Sequence, residues 1–488
     1  MRSYDLVVIG SGPAGEKGAA QAAYFGKSVA LIEREVVPGG AGVNTGTVPS
    51  KTLRESALHL SGFKQRGLHG VNMSMRQGIS VGDFMERQRE VVEKEWDLIE
   101  ENLRWNNVDR YRGTARLVSP HEILVDTSGH DIALYSEVIL IATGSSPHRP
   151  ETVPFDDPNI YDSDSILSLD RIPQSMAIIG AGVIGCEYAS IFAALGIEVT
   201  LIDGRTELLG NLDREIVDIL MRQMRNRWRI NLQIGVEVDC ITPGDNSVTV
   251  KLKNGRSVCA EKVLYAAGRQ SNTEELQLEN AGIETGKRGI IVVDENYCTN
   301  VPNIYAAGDV IGFPALASTS MEQARVAMVN AFNPKLKSKL APILPYGIYT
   351  IPEISLIGLT EEECLTKGID YEVGRAYYRN NMRGQIIGDT SGMLKLIIAP
   401  EDRKVLGIHI LGENASELIH IGMMVMLQDG SMDVFLQAVF NCPTLSDVYK
   451  YAAYDALHRL ERRAKLAQQV MNEADVLEAK FKARMASA

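Results

Sequence analysis

Two copies of one glycine pattern, each between a buried strand and a helix, constrain the fold of this chain most. The first copy, Gly10–Gly15 (GSGPAG), follows the apolar run DLVVI and opens an Ala-rich helical pattern. The second copy, Gly180–Gly185 (GAGVIG), follows the run MAII and opens another helical pattern. A glycine turn between a parallel strand and a helix N-terminus is typical of a dinucleotide-binding unit. Two such units in one chain predict two bound dinucleotides and an exchange of hydride or electrons between them.

Each position in the glycine pattern has its own physical role. The first glycine permits the tight turn, the second lets the backbone approach a pyrophosphate, and the third lets helix and strand pack closely. The free N–H groups at the helix start suit phosphate oxygens, and an acid at the end of the next strand can accept from a ribose hydroxyl. The predicted dinucleotide-binding residues are Gly10, Gly12, Pro13, Ala14, Gly15, Glu33 and Arg34 in the first unit, and Gly180, Gly182, Val183, Ile184, Gly185, Asp203 and Arg205 in the second.

The end of the second unit leaves the choice of nucleotide open. Asp203 favours the 2′-hydroxyl of NAD and repels a 2′-phosphate. Arg205 lies two residues further on and could hold the 2′-phosphate of NADP. A solvated arginine at a strand end is the alternative interpretation.

Composition is that of an ordinary globular protein with several domains. Its 488 residues predict about three domains, and the net charge of −12 argues against binding to nucleic acid. No run approaches the ~20 apolar residues of a membrane helix, and the N-terminal residues enter a strand without a signal-peptide pattern. The six cysteines are scattered without a CxxC pair, so neither a metal site nor a disulfide framework is predicted, and a reducing cytoplasm is favoured.

A third glycine-rich stretch, Gly39–Lys51 (GGAGVNTGTVPSK), resembles the redox-active segment of the lipoamide dehydrogenase and glutathione reductase family of flavoproteins. In that family two cysteines form a disulfide beside the flavin, and the corresponding positions here are Gly42 and Thr47. The family's histidine base and its carboxylate partner correspond to Cys442 and Asp447. Since disulfide reduction needs thiolates and a base, lipoamide, glutathione and mercuric reductase activities are not expected.

The resemblance covers residues 1–457 and implies further site residues. Lys51 corresponds to the family lysine near flavin N5 and O4, where its charge would stabilise negative charge on the flavin, and Glu187 corresponds to its partner. These two are the predicted catalytic residues, with a purely structural ion pair as the alternative. The other cofactor-binding residues that the resemblance implies, including the aspartate that bonds the ribityl chain of FAD, are Gly40, Thr47, Thr143, Gly144, Gly268, Arg269, Gly308, Asp309 and Ala317.

The resemblance also implies the fold class, which is α/β. It predicts an FAD-binding domain in two parts (1–148 and 273–342), an NAD(P)-binding domain (149–272) and an α+β dimerisation domain (343–457). Both nucleotide-binding domains are expected to be Rossmann-like, and the protein is expected to be a homodimer. The extension 458–488 has apolar residues at three- and four-residue steps, so it predicts a helix that is either solvated or a contact for a higher oligomer.

Local patterns also place helices and single residues. A helical pattern runs from Lys51 to about Lys64, and an amphipathic pattern runs over 81–105. Cys442 is interpreted as a small packing residue. His409 and His420 lie in apolar context and are interpreted as core or interface histidines.

Several phrases look like the soluble transhydrogenase branch of this family. They are YDSDSIL (161–167), GDVIGFPALA (308–317), GIYTIPEIS (347–355) and PTLSDVYKYAA (443–453). The branch uses FAD to pass hydride between NADPH and NAD⁺ without a redox disulfide, in the Si-specific manner. The alternatives are an NAD(P)H:quinone or dye reductase, and a weakly active flavoprotein that serves as a scaffold.

Overall fold

Residues 1–61, 80–336 and 339–486 are described by the structure, a computed structural model, and they divide into two units. The first unit takes in Met1–Ser61, the chain up to Leu208, and Trp228–Pro342. The second takes in Leu209–Arg227 and the chain from Ile343 onward. The stretch 209–227 therefore clusters with the C-terminal part of the chain, although in sequence it falls inside the predicted NAD(P)-binding domain.

The first glycine motif belongs to a seven-stranded sheet in the first unit. Its strands are β1 (Arg2–Ile9), β2 (Val29–Glu33), β3 (Asp109–Arg112), β4 (Thr114–Leu117), β5 (Glu122–Asp126), β6 (Asp131–Ile141) and β17 (Ile304–Ala306). The order is β3-β2-β1-β6-β5-β4, and β17 also pairs with β6. β1 pairs in parallel with β2 and β6, and its apolar residues are buried as expected of a strand covered on both faces.

The second glycine motif belongs to a five-stranded, all-parallel sheet in the same unit. Its strands are β8 (Ile160–Asp162), β9 (Ser175–Ile179), β10 (Glu198–Asp203), β11 (Asn231–Ile234) and β15 (Lys262–Tyr265), in the order β11-β10-β9-β15-β8. Two small antiparallel sheets complete the unit, one of β12 (Val238–Pro243), β13 (Val248–Leu252) and β14 (Ser257–Ala260), the other of β7 (Ser145–Pro147) and β16 (Arg269–Ser271). The expected pair of Rossmann-like units is present.

Helices of the first unit follow the predicted patterns with one shift. They are α1 (Pro13–Tyr24), α2 (Gly40–Asn44), α3 (Thr47–Leu60), α4 (Val81–Trp105), α5 (Val183–Ala194) and α7 (Ala317–Phe332). α4 has the predicted bounds, and its start is fixed by a reciprocal capping box between Ser80 and Asp83. α3 begins at Thr47, four residues before the predicted start at Lys51, and the predicted end at Lys64 lies outside the described residues.

The second unit is built on a five-stranded antiparallel sheet. Its strands are β18 (Tyr346–Ile348), β19 (Ile354–Gly358), β20 (Glu372–Tyr377), β21 (Met393–Ile398) and β22 (Val405–Leu411), in the order β18-β19-β22-β21-β20. Its helices are α6 (Arg214–Asn226), α8 (Glu361–Lys367), α9 (Met382–Ile386), α10 (Ala415–Met426), α11 (Asp433–Gln437) and α12 (Val448–Ala486). This mixed architecture confirms the expected α+β character of the C-terminal part.

A buried lysine ties α6 to this sheet. The Lys395 ammonium is 1% exposed and lies 2.8 Å from both carboxylate oxygens of Asp213, the residue that caps α6. Glu215 and Glu361 also pair with this ammonium. Burial lowers the pKa of a lysine, but these carboxylates outweigh burial and raise the pKa of Lys395 above its ordinary value.

α12 is the longest helix of the described chain and includes the predicted C-terminal helix. Its first turns are buried against β20, β21 and α11, whereas residues 461–480 are exposed on every side. None of the helices in the described ranges combines the length and apolar character that a membrane span requires.

Candidate active site

The turn and packing glycines of the two motifs have nearly the same geometry. φ is +100° at Gly10 and +102° at Gly180, a left-handed conformation that favours glycine. A Cβ atom on Gly15 would lie 1.9 Å from the Gly10 carbonyl oxygen, and one on Gly185 would lie 1.8 Å from the Gly180 carbonyl oxygen. Neither position can accept a side chain, so helix and turn pack as the sequence predicted.

The middle glycines face open space in front of each helix. The nearest atom to a Cβ on Gly12 would be the Gly40 Cα at 3.8 Å, and for Gly182 it would be Arg205 Nη2 at 3.9 Å. Both glycines are N-caps, of α1 and α5, and neither helix start has a side-chain cap. The first N–H groups of both helices are therefore available to phosphate oxygens, and the residues fit two dinucleotides.

A buried serine organises the acidic end of the first motif. Ser11 donates to the Glu33 carboxylate through its backbone N–H at 2.9 Å and its hydroxyl at 2.6 Å. The Ser11 hydroxyl oxygen also accepts from the Gly39 N–H at 3.1 Å, which links the motif to the stretch 39–51. Arg34, predicted to bind a cofactor, is half exposed and pairs with Glu275 at 3.0 Å. Sequence reasoning missed Ser11 because it occupies a variable position between two motif glycines.

Asp203 and Arg205, which leave open the choice between NAD and NADP, lie together at the acidic end of the second motif. Asp203 is buried at 8% exposure and accepts from the Ala181 N–H at 2.6 Å. Arg205 is 61% exposed and donates to the same carboxylate through Nε at 3.0 Å and Nη2 at 2.6 Å. Burial alone would raise the pKa of Asp203, but the hydrogen bonds from Arg205 and from the Ala181 amide outweigh it and lower that pKa.

The two positions of the stretch 39–51 that correspond to the family's cysteines lie on two different helices. Gly42 belongs to α2, and a Cβ atom there would lie 2.7 Å from Pro13 Cγ and 3.2 Å from Pro13 Cδ. Thr47 is exposed and opens α3. The close approach of α2 to the pyrrolidine ring of α1 gives a physical reason for glycine at position 42.

The two predicted catalytic residues lie together. Lys51 Nζ is 2.7 Å from Glu187 Oε2, and the Lys51 ammonium also donates to Ser50 Oγ at 3.1 Å. The Glu187 side chain is buried on α5, whereas Lys51 on α3 keeps 28% of its surface accessible. The pair therefore joins α3, which begins at Thr47, to α5, which begins within the second glycine motif.

A polar network connects further predicted residues across the first unit. Ser145 Oγ donates to Asp309 Oδ2 at 2.9 Å and accepts from Arg269 Nε at 2.8 Å. Arg269 Nη1 lies 3.8 Å from Asp164 Oδ1. Burial raises the pKa of Asp164, although Arg269 and a hydrogen bond from Thr45 oppose that rise. Ser145 and Asp164 were missed because neither belongs to a glycine motif, although Asp164 lies in the phrase YDSDSIL.

Hydrogen bonds from Thr143 and Asn272 hold together the two segments that cross between the predicted FAD-binding and NAD(P)-binding domains. Thr143 Oγ1 donates to the Asn272 carbonyl oxygen at 2.7 Å, and Asn272 Nδ2 donates to the Thr143 carbonyl oxygen at 2.9 Å. The Gly144 carbonyl oxygen accepts from the Asn272 N–H at 3.0 Å. Gly268, just before β16, has φ of +124°. These residues thus join the two crossing strands β7 and β16.

The last predicted segment returns the chain to the first sheet. Gly308, at φ of +83°, follows β17, and its N–H donates to Gln323 Oε1 on α7 at 2.9 Å. Ala317 is the first residue of α7, and this helix start also has no side-chain cap. Like α1 and α5, it offers free N–H groups at its N-terminus.

Three residues singled out in the sequence lie in the second unit: Cys442, at the position of the family's histidine base, and the two histidines His409 and His420. In the single chain Cys442 is an exposed thiol and not the small packing residue that the sequence suggested. His409 is fully buried with Nε2 2.9 Å from the Leu359 carbonyl oxygen, which confirms the core interpretation. His420 is exposed on α10.

Comparison with known proteins identifies the family. The family described as pyridine nucleotide-disulphide oxidoreductase matches residues 4–330, and its dimerisation domain matches residues 344–453. The chain belongs to this family. Membership agrees with the expected use of FAD and a pyridine nucleotide, and it shows that the chain carries a dimerisation domain of the family.

Two named relatives align with this chain over almost its whole length. The chain is 46% identical to a soluble pyridine nucleotide transhydrogenase of Mycobacterium tuberculosis (strain ATCC 25177 / H37Ra) and covers 98% of that protein with 94% of its own length. It is 41% identical to the transhydrogenase of Pseudomonas aeruginosa (strain LESB58), with 94% of this chain and 99% of that protein aligned. The expected resemblance to the transhydrogenase branch is confirmed.

A solved structure confirms the fold. The HOCl-induced flavoprotein disulfide reductase RclA of Escherichia coli superposes with a TM-score of 0.83 at 29% identity, over 92% of this chain and 99% of that one. This chain has Gly42 and Thr47 at the family's thiol positions. The pyridine nucleotide-disulphide oxidoreductase frame is therefore kept here without the cysteine pair after which the family is named.

Proposed function

We propose that this protein is an FAD-dependent transhydrogenase that passes hydride between NADPH and NAD⁺. The observation that carries the proposal is the pair of matching phosphate cradles, around Gly12 and Gly182, in a family frame that has no thiols at Gly42 and Thr47. One cradle would hold FAD and the other a nicotinamide nucleotide. Bound FAD would supply a two-electron acceptor and donor for hydride.

The chain's own residues would bind, orient and stabilise charge. Glu187, buried on α5, holds the Lys51 ammonium at 2.7 Å and so fixes its direction. A positioned ammonium stabilises negative charge that develops beside it, and this electrostatic stabilisation is larger where water is excluded. We assign Lys51 as the charge-stabilising residue and Glu187 as the residue that positions it.

Exchange between two nucleotides requires a site that accepts NADP and NAD in turn. Asp203 offers an acceptor for a 2′-hydroxyl, and Arg205 offers donors for a 2′-phosphate. Since the two side chains already pair with each other, a 2′-phosphate would share the guanidinium with Asp203. This arrangement supports a site that discriminates weakly between the two nucleotides.

The deciding experiment compares acceptors at constant NADPH. The purified yellow protein is supplied with thio-NAD⁺ in one series and with a soluble quinone in another, and kcat/KM is measured for each. We expect efficient transfer to thio-NAD⁺ and release of FAD on denaturation. Negligible transfer between nucleotides beside efficient quinone reduction would establish the quinone reductase instead, and negligible rates with both acceptors would favour a scaffold.

Finer features of the proposal have their own support. The Si-specific type predicts that NADPH deuterated at the pro-S hydrogen of C4 transfers its label and that pro-R-labelled NADPH does not. The dimerisation domain supports a homodimer, which a mass measurement in solution would test. All six cysteines are free thiols, as a reducing cytoplasm would keep them.

A further inference from the structure

Arg288 is a cation of the first unit that has no part in the charge stabilisation or the nucleotide choice described above. It lies in the short helical turn Lys287–Gly289, where its φ of +59° is a left-handed conformation that residues with a side chain seldom adopt. The residue is exposed, and no carboxylate in the described part of the chain forms an ion pair with it. Its positive charge is therefore available to a bound anion.

The Arg288 guanidinium lies against Gly268, just beyond the end of β15. A Cβ atom on Gly268 would lie 3.0 Å from Arg288 Nη1, 3.7 Å from Cζ and 3.8 Å from Nη2. The charge also acts on Tyr265, the last residue of β15. Burial raises the pKa of Tyr265, and the positive charge of Arg288 opposes that rise. Both observations place the guanidinium near the carboxyl end of β15.

The carboxyl end of β15 adjoins the second glycine motif. β9 lies between β10 and β15 in the sheet, and Ile179 and Tyr265, the last residues of β9 and β15, pair in register. A Cβ atom on Gly180 would lie 2.6 Å from the Ala266 carbonyl oxygen, so the glycine turn packs directly on the segment after β15. In open parallel sheets, ligands bind outside the carboxyl ends of the strands where the strand order reverses, as it does between β9 and β15.

Two arginines therefore flank the start of α5. Arg205 lies on the β10 side, with Nη2 3.9 Å from the position of a Cβ atom on Gly182, and Arg288 lies on the β15 side. The proposed function places the adenosine ribose at Asp203. A dinucleotide whose pyrophosphate lies on the start of α5 would then extend its nicotinamide half toward β15. The phosphate of that half would come to the side of Arg288.

We propose that Arg288 binds the nicotinamide-side phosphate of the nicotinamide nucleotide. The assignment rests on the proposed function, which places that nucleotide at the second cradle. A guanidinium presents paired N–H donors that match phosphate oxygens. NADPH and NADH share this phosphate, so Arg288 strengthens the binding of both alike. Arg205, in contrast, would contact the 2′-phosphate that only NADP(H) carries.

Two nucleotide fragments separate the roles of the two arginines. ADP-ribose carries both phosphates of the pyrophosphate and no 2′-phosphate, whereas 2′,5′-ADP carries the 2′-phosphate and only the adenosine-side phosphate. Each is titrated into the full-length, FAD-loaded protein by isothermal titration calorimetry. Arg288→Asn tolerates the left-handed backbone and removes the cation. It should raise Kd for ADP-ribose about 10-fold and leave Kd for 2′,5′-ADP within about two-fold. Arg205→Ala should show the reverse pattern.

Two further variants of the same turn serve as controls. Lys287→Ala removes a neighbouring exposed positive charge and should leave both Kd values within about two-fold. Arg288→Lys keeps the charge without the planar fork, so it should raise Kd for ADP-ribose only about three-fold. Retained FAD absorbance and an unchanged melting temperature identify folded variants. Arg288→Lys provides the same comparison of fragments if Arg288→Asn does not fold.

The outcomes distinguish this assignment from the proposed function. Unchanged affinity of Arg288→Asn for ADP-ribose, equal weakening of both fragments, or an equal effect of Lys287→Ala would overturn the phosphate contact and leave the proposed function intact. Failure of the unsubstituted, FAD-loaded protein to bind ADP-ribose or NADPH would overturn the nucleotide site at the second cradle, and the role of Arg288 with it.

Discussion

Arg205 bends back onto Asp203, so the two groups that would choose between NADP and NAD are held in a single ion pair. Nε and Nη2 of the guanidinium contact the two oxygens of the carboxylate at 3.0 and 2.6 Å. The Asp203 carboxylate also accepts from the Ala181 N–H, at the turn of the second motif. The position of the arginine is thereby set by a residue that is itself anchored to the turn of the second glycine motif.

Removal of the Arg205 guanidinium should weaken the binding of NADPH far more than the binding of NADH. Arg205→Ala deletes the proposed donor for the 2′-phosphate and leaves the negative charge of Asp203 without its arginine partner, so we expect KM for NADPH to rise about 10- to 100-fold. KM for NADH should stay within about three-fold, because Asp203, the proposed acceptor for the 2′-hydroxyl, remains. Arg171→Ala, which breaks the surface pair with Glu261, is the control. Equal effects of Arg205→Ala on both nucleotides would contradict a phosphate contact.

Loss of the positioned ammonium should slow hydride transfer. Lys51→Met keeps the length of the side chain and removes its charge, so kcat should fall about 10- to 100-fold. Lys17→Met is a closely matched control, since Lys17 pairs with Glu16 at the same 2.7 Å and the side-chain exposures are 27% and 7%, against 28% and 5% for Lys51 and Glu187. Stopped-flow measurement of both half-reactions would locate the loss. An equal loss in the Lys17 variant would reduce the Lys51 pair to a structural role.

Restoring the family's cysteine pair should not create a disulfide reductase. Gly42→Cys with Thr47→Cys supplies the thiols, but Cys442 cannot replace the histidine base. The Cβ at position 42 would also lie 2.7 Å from Pro13 Cγ, so Gly42→Cys should cost about 1–3 kcal/mol of unfolding free energy.

Two single variants separate these effects. Gly42→Ala introduces the same Cβ atom, so it should show most of the loss in unfolding free energy that Gly42→Cys causes. Thr47→Cys, at an exposed position, should have an unfolding free energy within about 0.5 kcal/mol of the unsubstituted protein. Urea unfolding measures the stability, and dihydrolipoamide oxidation measures the activity. Robust dihydrolipoamide oxidation by the double variant would show that the histidine matters less than we infer.

Mild acid should destabilise the second unit through His409. Burial lowers the pKa of His409, and Lys395 adds to that effect, while Asp213, Glu362 and the Leu359 carbonyl oxygen oppose it. The unfolded chain therefore takes up the proton first, and the stability contributed by neutral His409 is lost as pH falls below about 6.5.

The melting temperature between pH 7 and pH 5 measures this effect. His409→Gln keeps a donor for the Leu359 carbonyl oxygen but cannot take up a proton, so its melting temperature should fall less steeply. His420→Gln alters an exposed histidine on α10 and should leave the slope as it is. A parallel decline in all three proteins would assign the acid sensitivity to other groups.

Local sequence was sufficient to predict the two glycine turns and the helices that begin at them. In each, strand, glycine turn and helix are consecutive, so the geometry at Gly10 and Gly180 follows from neighbours in the chain. The Lys51–Glu187 pair spans 136 positions, and the resemblance to the family supplied it where periodicity could not.

Contacts between distant segments were not predictable from patterns. Ser145 meets Asp309 across 164 positions and Arg269 across 124, and nothing in the local sequence of these residues marks such a contact. The early start of α3 was missed for a different reason. Gly46 and Thr47 lie in the glycine-rich stretch 39–51, whereas in the structure Gly46 is the N-cap and Thr47 the first helical residue.

The origin of the charges around Lys395 limits how this protein can be divided into fragments. Asp213, which contacts the buried ammonium, precedes it by 182 positions and belongs to the sequence of the predicted NAD(P)-binding domain. A recombinant fragment that begins near residue 343 would lack two of the three carboxylates around the ammonium, Asp213 and Glu215, and would keep only Glu361 of that set. The same fragment would lack α6, so the C-terminal unit can be completed only by a chain that already contains 209–227. During synthesis α6 emerges from the ribosome long before β21, and its capping carboxylate remains without this lysine until the sheet is made.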